Sequence, residues 1–329
     1  MDNINIGLLG CGVVGTGILR VLADKRDTLR KERGLSIDVR GIVVRDLDQP
    51  RDNIVDTAKL HTDWIQVCAD DDIDVVIEVM GGTDSARDAV LYALRHGKSV
   101  VTANKELMAK YGEEIRRVAR EYGQFVRFEA SVLAGIPVVH TLETYFHISQ
   151  IVRLRGIMNG TSNYILTRMH QEGLAFADAL RAAQALGYAE ANPDMDVDGI
   201  DAWCKLQILL DCIGVPQDAR VGTEIEGIRS ISQADIRTAQ TQNCKIKHIV
   251  SAEWDVASGL VNWHVGPETL TLDDPLYAID DVQNAICIDG DASGTITLSG
   301  PGAGALPTAS AVLEDVLKIA QKLQVSLSV

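Results

Sequence analysis

The sequence predicts an α/β protein of two domains, the first built on a doubly wound parallel sheet and the second on an α+β mixed sheet. A length of 329 residues is enough for two hydrophobic cores. Strand-like and helix-like stretches alternate up to about residue 130, which is the pattern of a parallel sheet covered by helices. Beyond that point glycine-bearing turns and shorter alternating strands take over, so we expect a different sheet there.

The first predicted strand, Asn5–Leu9, runs directly into Gly10-Cys-Gly-Val-Val-Gly15. In a dinucleotide-binding turn the first glycine makes the bend, the second lets the pyrophosphate approach the backbone, and the third lets helix and strand pack. The N-terminus of the following helix then faces the phosphates. The residues predicted to bind a cofactor here are Gly10, Gly12, Val13, Val14 and Gly15.

The alternation continues through strands predicted at 37–44, 74–79, 98–102 and 125–129, and helices predicted at 84–96 and 106–122. Gly81 and Gly82 follow a buried strand, at the carboxyl edge where such sheets bind ligands. Lys105 falls in the first turn of a helix, where the helix dipole disfavours a cation. It is therefore either a lysine that serves a ligand or an ordinary surface lysine.

The segment Glu190–Lys205 is the candidate centre of the chemistry. It contains five carboxylates, those of Glu190, Asp194, Asp196, Asp198 and Asp201. Asp201 and Lys205 are four residues apart in a helix-like stretch, so they share one helix face. Such pairs are commonly weak and solvated. Because this stretch is apolar nearly all round, we predict a buried helix instead, with Lys205 as a candidate proton carrier.

The rest of the second domain shows a helical pattern near 176–186, strand-like runs at 246–252 and 294–298, and a glycine-rich loop at 299–307. An amphipathic helix follows, with Thr308 as its predicted N-cap. Its predicted apolar face consists of Ala311, Val312, Val316, Ile319 and Leu323. The predicted domains are 1–130, 131–304 and a C-terminal helix, 305–329, that returns to the first domain.

Composition narrows the classes of partner. A net charge of −15 repels nucleic acid and anionic membranes, so we expect neither as a partner. No apolar segment reaches the roughly 18 residues of a membrane span, and the N-terminus does not resemble a signal peptide. The six cysteines are scattered without metal-ligand spacing, as in a reducing compartment. We therefore expect a cytoplasmic protein that acts on a small molecule.

Taken in order, these motifs resemble those of homoserine dehydrogenase along almost the whole chain. The matching segments are Gly10–Gly15, Thr102–Lys105, Glu129–Pro137, Asn159–Tyr164, Gly187–Lys205, Gly300–Gly304 and Pro307–Ser310. The resemblance implies a Rossmann domain joined to a mixed-sheet catalytic and dimerisation domain, in a homodimer or homotetramer. It also implies interconversion of L-homoserine and L-aspartate 4-semialdehyde, in threonine and methionine biosynthesis, by hydride transfer to nicotinamide.

The resemblance also implies site residues. Lys205 would donate or accept the proton, and Lys105 would lie between cofactor and substrate. Glu190, Asp196 and Asp201 would line the substrate site, and their charge suits the ammonium group of an amino acid. We assign the substrate carboxylate to Thr161, Ser162 and Asn163. Gly302 and Gly304 would lie near the nicotinamide. A monovalent cation, Na⁺ or K⁺, would be bound largely by the backbone of Glu129, Val132, Ala134 and Ile136.

The chain departs from the family pattern at a few positions. Val13 replaces a frequent threonine in the phosphate loop, and Leu133 replaces a small residue beside the cation loop. His140 and Glu143 occupy positions that are often basic. None of these changes removes a catalytic group. Because the chain ends at Val329, soon after the last glycine-rich loop, we expect the short form without a C-terminal regulatory domain.

The choice between NAD and NADP depends on the end of the second strand. An acidic residue there binds the ribose 2′-hydroxyl of NAD, whereas an arginine accommodates the 2′-phosphate of NADP. Here Arg45 and Asp46 are adjacent, and neighbouring strand residues point to opposite sides. Arg45 matches the phosphate-contacting position of the family, so NADP is favoured, with NAD also accepted. An Arg45 that lies on the surface without contacting the cofactor is the alternative.

Two other functions fit part of the sequence. One is a dehydrogenase of the same fold that acts on another small hydroxy amino acid. The other is a non-enzymatic nucleotide-sensing protein, which would have no reason to keep Lys205, Asp201 and Glu190 together.

Overall fold

The computed structural model describes residues 2–222, 224–255 and 257–327. The chain divides into two compact units, Met1–Gly135 with Gly304–Val329, and Ile136–Ala303. The first unit contains a parallel six-stranded sheet and the second a mixed six-stranded sheet, which confirms the predicted fold class. Within the described ranges, no helix is long and apolar enough to cross a membrane.

The sheet of the first unit positions a ligand crevice. Its strands are β1 (Asp2–Leu9), β2 (Leu35–Val43), β3 (Leu60–His61), β4 (Val75–Glu78), β5 (Ser99–Thr102) and β6 (Val126–Arg127). Its first four helices are α1 (Val13–Thr28), α2 (Trp64–Cys68), α3 (Asp84–Arg95) and α4 (Lys105–Glu121). The strand order is β3-β2-β1-β4-β5-β6, with every pair parallel. Because the order reverses between β1 and β4, their carboxyl ends form the crevice in which such sheets bind ligands.

Strand β6 is shorter than predicted. The sequence pattern favoured a strand through Glu129, but the chain leaves the sheet after Arg127 and forms a short 3₁₀ helix, Glu129–Ser131. The backbone N–H of Glu129 donates to the Asp315 carboxylate at 2.8 Å instead of to a neighbouring strand. The strand therefore ends where the Asp315 side chain accepts the hydrogen bond that the Glu129 N–H would otherwise donate within the sheet.

Among the described residues, the second unit contains the remaining strands and six α-helices. Its strands are β7 (Ile151–Ile157), β8 (Arg220–Gly222), β9 (Lys245–Asp255), β10 (Leu260–Leu270), β11 (Gln283–Gly290) and β12 (Gly294–Pro301). Its helices are α5 (Val138–Thr144), α6 (Gly160–Glu172), α7 (Phe176–Ala185), α8 (Asp194–Val197), α9 (Ile200–Cys212) and α10 (Gln233–Thr241). The sheet order is β12-β11-β7-β9-β10-β8, antiparallel except for the pair β8 and β10. Helices α6 and α9 both contact β9, so one strand supports α6 and the helix that carries Asp201 and Lys205.

Helix α9 confirms the prediction of a buried helix. All its residues from Asp201 to Leu210 are buried except Trp203, which is half-buried. A helix buried on nearly every side has no solvated face on which to place a charge. The carboxylate of Asp201 and the ammonium of Lys205 must therefore find partners inside the fold.

The final helix, α11 (Ala305–Leu327), belongs to the first unit. Its N-terminus was predicted wrongly at Thr308, since the helix begins at Ala305 and the Thr308 N–H donates to the Gly304 carbonyl. Pro307 is compatible with the earlier start because a proline in the first helical turn sacrifices no hydrogen bond. The predicted apolar face is confirmed. It packs into the core that α1 and the sheet share, through Ala311, Val312, Val316, Ile319 and Leu323.

We expect Asp315→Ala to lower the free energy of unfolding by about 2 kcal/mol, because the buried Glu129 N–H then loses a charged acceptor. The adjacent Glu314 is exposed, so Glu314→Ala serves as the matched control and should change stability by less than about 0.5 kcal/mol. Chemical denaturation of both variants measures the difference. Equal stability of the two variants would show that the Asp315 contact does not hold this segment.

Candidate active site

The glycine turn after β1 is shaped by close approaches of the backbone. Gly10 has φ +103°, and a Cβ there would lie 2.6 Å from the Val79 carbonyl oxygen. A Cβ on Gly15 would lie 2.3 Å from the Gly10 carbonyl oxygen. A Cβ on Gly12, in contrast, would meet no heavy atom of the described structure within 4 Å beyond its chain neighbours. The first and third glycines therefore serve the fold, and the second leaves room for a ligand.

A cavity of about 400 Å³ opens beside this turn. It is lined by the turn, the ends of β2 and β4, and the loops that follow, including Gly10, Gly12, Arg45, Arg51 and Gly81. Backbone N–H groups at a helix N-terminus and two guanidinium groups suit a ligand rich in phosphate. The residues present therefore fit a dinucleotide. Arg51, which no sequence motif marks, also donates to the Asp46 backbone oxygen at 2.6 Å.

A second cavity, of about 320 Å³, is lined by Val14, Gly81, Gly82, Asn104 and Lys105, among others. The structure thus brings Lys105 together with both glycines that follow β4. Val13 is 75% exposed and lines a separate groove beside α1 and the start of α11.

A hydrogen-bond network that starts at the buried Glu78 fixes the turn that precedes Lys105. The Glu78 carboxylate accepts hydrogen bonds from the Thr102 hydroxyl, at 2.6 Å, and from the Met80 N–H, at 2.8 Å. Asn104 caps α4 through its side-chain oxygen and donates its amide N–H to the Gly82 carbonyl at 2.7 Å. Burial raises the pKa of Glu78, and the hydrogen bonds oppose that rise. A glutamate in the otherwise apolar strand β4 is a feature of the sequence from which a buried polar network could have been predicted.

The two glycines expected near the nicotinamide, Gly302 and Gly304, belong to different units. Gly302 follows β12 and stands against Asn284, whose side-chain oxygen would be 1.4 Å from an added Cβ. Gly304 immediately precedes α11 and has φ +121°. Their contact with a nicotinamide stays a prediction.

In the second unit, Asp201 and Lys205 form the ion pair expected from their spacing. Lys205 Nζ lies 2.9 Å from Asp201 Oδ2, and both side chains are nearly buried, at 11% and 3% exposure. Lys205 Nζ also donates to the Met158 backbone oxygen at 2.7 Å. The ammonium is thus fixed by one carboxylate and one carbonyl, which defines the direction of its remaining proton.

Asn159 links Asp201 to a second carboxylate. Its side-chain nitrogen donates to Asp201 Oδ2 at 2.8 Å and to Asp196 Oδ1 at 2.7 Å. Its side-chain oxygen accepts from the Ser162 N–H and caps α6. Asp196 and Asp201 therefore lie around one amide group, although they belong to α8 and α9.

The remaining carboxylates of the acidic run separate from this pair. Arg229 binds Asp194, the first residue of α8, and Asp198, which directly follows that helix. Glu190 is exposed and its backbone oxygen accepts from Gln184. Arg229 is distant in sequence and was not identified beforehand. It explains why five carboxylates can gather there, since two of them are neutralised outside the candidate site.

The first turn of α6 is less suited to a substrate carboxylate than the sequence suggested. The hydroxyl of Thr161 donates to the Tyr188 carbonyl, and that of Ser162 donates to the Asp196 carbonyl. The Asn163 amide donates to the Ile279 and Gln283 carbonyls. These donors serve the fold, so the structure does not support Ser162 and Asn163 as carboxylate ligands. Thr161 lies beside the acidic turn, and its role in binding stays a prediction.

The segment proposed for a monovalent cation is buried and irregular. Glu129, Val132 and Ala134 belong to the first unit, and Ile136 begins the second. Leu133 has φ +51°, an uncommon conformation for a residue with a side chain. Lys318 Nζ lies 3.9 Å from the Glu129 carboxylate. Over the described residues, no cluster of three or more histidine, cysteine or acidic side chains could hold a metal ion. The departures His140 and Glu143 both lie on α5.

Comparisons with known proteins agree with this geometry. Residues 10–129 match the family model "Homoserine dehydrogenase, NAD binding domain", and residues 137–317 match the model "Homoserine dehydrogenase". A homoserine dehydrogenase of Synechocystis sp. is 41% identical over 320 residues, which cover 96% of this chain and 73% of that protein.

Two solved structures are similar over nearly the whole chain. The homoserine dehydrogenase of Thiobacillus denitrificans is 39% identical, with a TM-score of 0.89 over 96% of this chain and 73% of that one. A hyperthermophilic archaeal homoserine dehydrogenase in complex with NADPH is 27% identical, with a TM-score of 0.81 over 97% of this chain and 98% of that one.

The glycine turn provides a test with an internal control. Gly12→Ala should leave the free energy of unfolding within about 0.5 kcal/mol of wild type but weaken cofactor binding roughly tenfold or more, because the new methyl group occupies the approach of the pyrophosphate. Gly15→Ala should instead destabilise the fold by about 1–3 kcal/mol, since its Cβ meets the Gly10 carbonyl. Fluorescence titration with NADPH and chemical denaturation measure both effects. Unchanged cofactor affinity in Gly12→Ala would rule out this site.

Proposed function

This chain belongs to the homoserine dehydrogenase family, and we propose that it interconverts L-homoserine and L-aspartate 4-semialdehyde with NADP as the favoured cofactor. The observation that carries the proposal is the buried pair of Asp201 and Lys205, joined through Asn159 to a second carboxylate. A proton carrier beside two carboxylates suits a substrate that has both a side-chain alcohol and an ammonium group. We place the reaction in threonine and methionine biosynthesis, in the cytoplasm.

The bound nicotinamide supplies the acceptor for the hydride from the alcohol carbon. In the direction of reduction, the Lys205 ammonium donates its remaining proton to the oxygen on which negative charge develops. In the direction of oxidation, the ammonium first releases that proton to solvent, and the neutral amine then takes the hydroxyl proton. Asp201 and the Met158 carbonyl hold the lysine in a fixed orientation, so little reorganisation accompanies the transfer. Lys105 is a second catalytic lysine, and its cavity with Gly81 and Gly82 supports a role on the cofactor side.

The substrate is bound mainly by charge. Asp196 and Asp201 lie around the Asn159 amide beside Lys205, and their carboxylates are the proposed anionic partners of the substrate ammonium. Glu190 is exposed in the same acidic segment and adds to its negative electrostatic potential. The Thr161 hydroxyl donates to the Tyr188 carbonyl, so its oxygen is available as an acceptor for the substrate ammonium and not as a donor to the carboxylate. A hydroxy acid without the amine loses this interaction.

The cofactor proposal rests on two arginines. Arg45 and Arg51 both line the dinucleotide cavity, whereas Asp46 does not line it and accepts from the Asp48 N–H. Guanidinium groups favour a 2′-phosphate, and a carboxylate would repel it. The archaeal relative solved with NADPH is consistent with this choice.

We propose further that the buried segment from Glu129 to Ile136 binds Na⁺ or K⁺ and that the protein is a homodimer or homotetramer.

A spectrophotometric assay of reduced nicotinamide tests the function directly. The protein should reduce NADP with L-homoserine, and NAD more slowly, while L-serine, L-threonine and 4-hydroxybutyrate should react weakly or not at all. A better rate with another hydroxy amino acid would identify a dehydrogenase of different specificity. Cofactor binding without turnover of any of these substrates would instead indicate a nucleotide-sensing protein.

We expect Lys205→Met to lower kcat by about 10²–10⁴-fold, the usual contribution of a general acid or base. Methionine keeps the apolar stem of the side chain in the buried helix, so NADPH affinity should change little. Lys245→Met is the matched control, since Lys245 binds Asp280 in the same unit but outside the candidate site. Steady-state kinetics and cofactor titration of both variants measure this. A kcat within a few-fold of wild type in Lys205→Met would refute the assignment.

Arg45→Ala should lower the ratio of kcat/KM for NADP to that for NAD by roughly tenfold or more, because a charged hydrogen bond to the 2′-phosphate is lost. Arg40→Ala is the control. Arg40 lies on β2 outside the dinucleotide cavity and donates to Asn5. The ratio is measured in the wild type and both variants. A wild type that strongly prefers NAD, or an unchanged ratio in Arg45→Ala, would contradict the proposed phosphate contact.

A further inference from the structure

We propose that Asn159 is a positioning residue that sets the separation and orientation of Asp196 and Asp201 and thereby makes the site selective for substrates with an ammonium group. The inference rests on the proposed function. Asn159 is only 5% exposed and contacts both carboxylates, yet its own chemistry offers neither a proton at neutral pH nor a charge. Its contribution is therefore geometric.

The orientation of the Asn159 amide follows from its partners. The backbone N–H of Ser162 can only donate, so the side-chain oxygen must face it, at 2.8 Å. The side-chain nitrogen then necessarily faces the carboxylates, and each of its two N–H groups has its own acceptor, Asp201 Oδ2 and Asp196 Oδ1. The cap of α6 thus fixes the direction of both donors.

Asn159 and its neighbour Met158 hold the two ends of the same ion pair. The Met158 carbonyl accepts from Lys205 Nζ, and the Asn159 amide donates to the Asp201 oxygen that binds this same ammonium. Both residues lie in the corner between β7 and α6, which is nearly inaccessible to solvent. The connection between β7 and α6 therefore fixes the position of Lys205 relative to Asp201, although it belongs to neither residue's helix.

The amide also offsets the repulsion between two carboxylates that lie side by side. Each carboxylate accepts one N–H from Asn159, and Asp201 also binds the Lys205 ammonium. A hydrogen bond donated to a carboxylate favours its charged form. Without the two Asn159 donors, we expect the carboxylates to move apart.

Two substitutions separate this role from helix capping. Asn159→Asp keeps the shape of the side chain and an acceptor for the Ser162 N–H, but it replaces both donors by an acceptor. Asn159→Ser also caps helices well but is too short to reach either carboxylate in the same way. Thermal denaturation and NADPH titration show whether the fold and the cofactor site are kept.

We expect KM for homoserine to rise on the order of tenfold or more in both variants, as for the loss of a hydrogen bond to a charged group, with NADPH affinity within about twofold of wild type. Discrimination between homoserine and 4-hydroxybutyrate, which lacks the amine, should fall by a similar factor. In Asn159→Asp, activity should partly recover as the pH falls. The groups facing the introduced carboxyl are Asp196 on α8 and Asp201 and Lys205 on α9. A proton taken up at lower pH and shared among the three carboxyl groups would restore one hydrogen-bond donor.

The outcomes are distinguishable. A wild type that does not oxidise homoserine overturns the proposed function and this assignment with it. An active wild type whose Asn159→Ser and Asn159→Asp variants keep both KM and the discrimination overturns the assignment alone. Equal losses for homoserine and 4-hydroxybutyrate, without recovery of Asn159→Asp at lower pH, would show that Asn159 only supports the fold.

Discussion

The ion pair of Asp201 and Lys205 is the interaction on which the candidate site depends. Both side chains are nearly buried, and a buried charge is tolerated only with partners of opposite charge and with hydrogen bonds. That requirement explains the surrounding arrangement. The Met158 carbonyl accepts from the lysine, Asn159 donates to the aspartate, and Arg229 neutralises two carboxylates outside the pair. Charge that is satisfied in this way can be held rigidly, which a proton carrier requires.

Both units solve this positioning problem with the same device. An asparagine follows a strand, caps the next helix with its side-chain oxygen, and uses its side-chain nitrogen to hold a functional element. In the first unit Asn104 caps α4 and binds the Gly82 carbonyl in the loop after β4. In the second, Asn159 caps α6 and binds two carboxylates. The oxygen is committed to the helix, so the direction of the donor is determined by the backbone and needs no further support.

Local patterns in the sequence predicted those features whose causes are local. The glycine spacing predicted the turn, and the four-residue spacing of Asp201 and Lys205 predicted their contact. The contacts of Asn159, Arg229 and Asp315 join residues far apart in sequence, so no periodicity could reveal them. The start of α11 was misplaced because threonine is a good N-cap residue. Pro307 gave no contrary signal, because proline is also well tolerated within the first helical turn. Glu78 could have been found, since a carboxylate in a buried strand requires an explanation.

A double-mutant cycle on the ion pair tests the central claim most directly. The kcat/KM for homoserine is measured for Asp201→Asn, Lys205→Met and the combined variant. If the two residues act as one unit, the combined variant should be no less active than Lys205→Met, with a coupling of at least about 1.4 kcal/mol, or tenfold. Losses that simply multiply would show that Asp201 and Lys205 act independently, and would contradict the account of a proton carrier positioned by its buried partner.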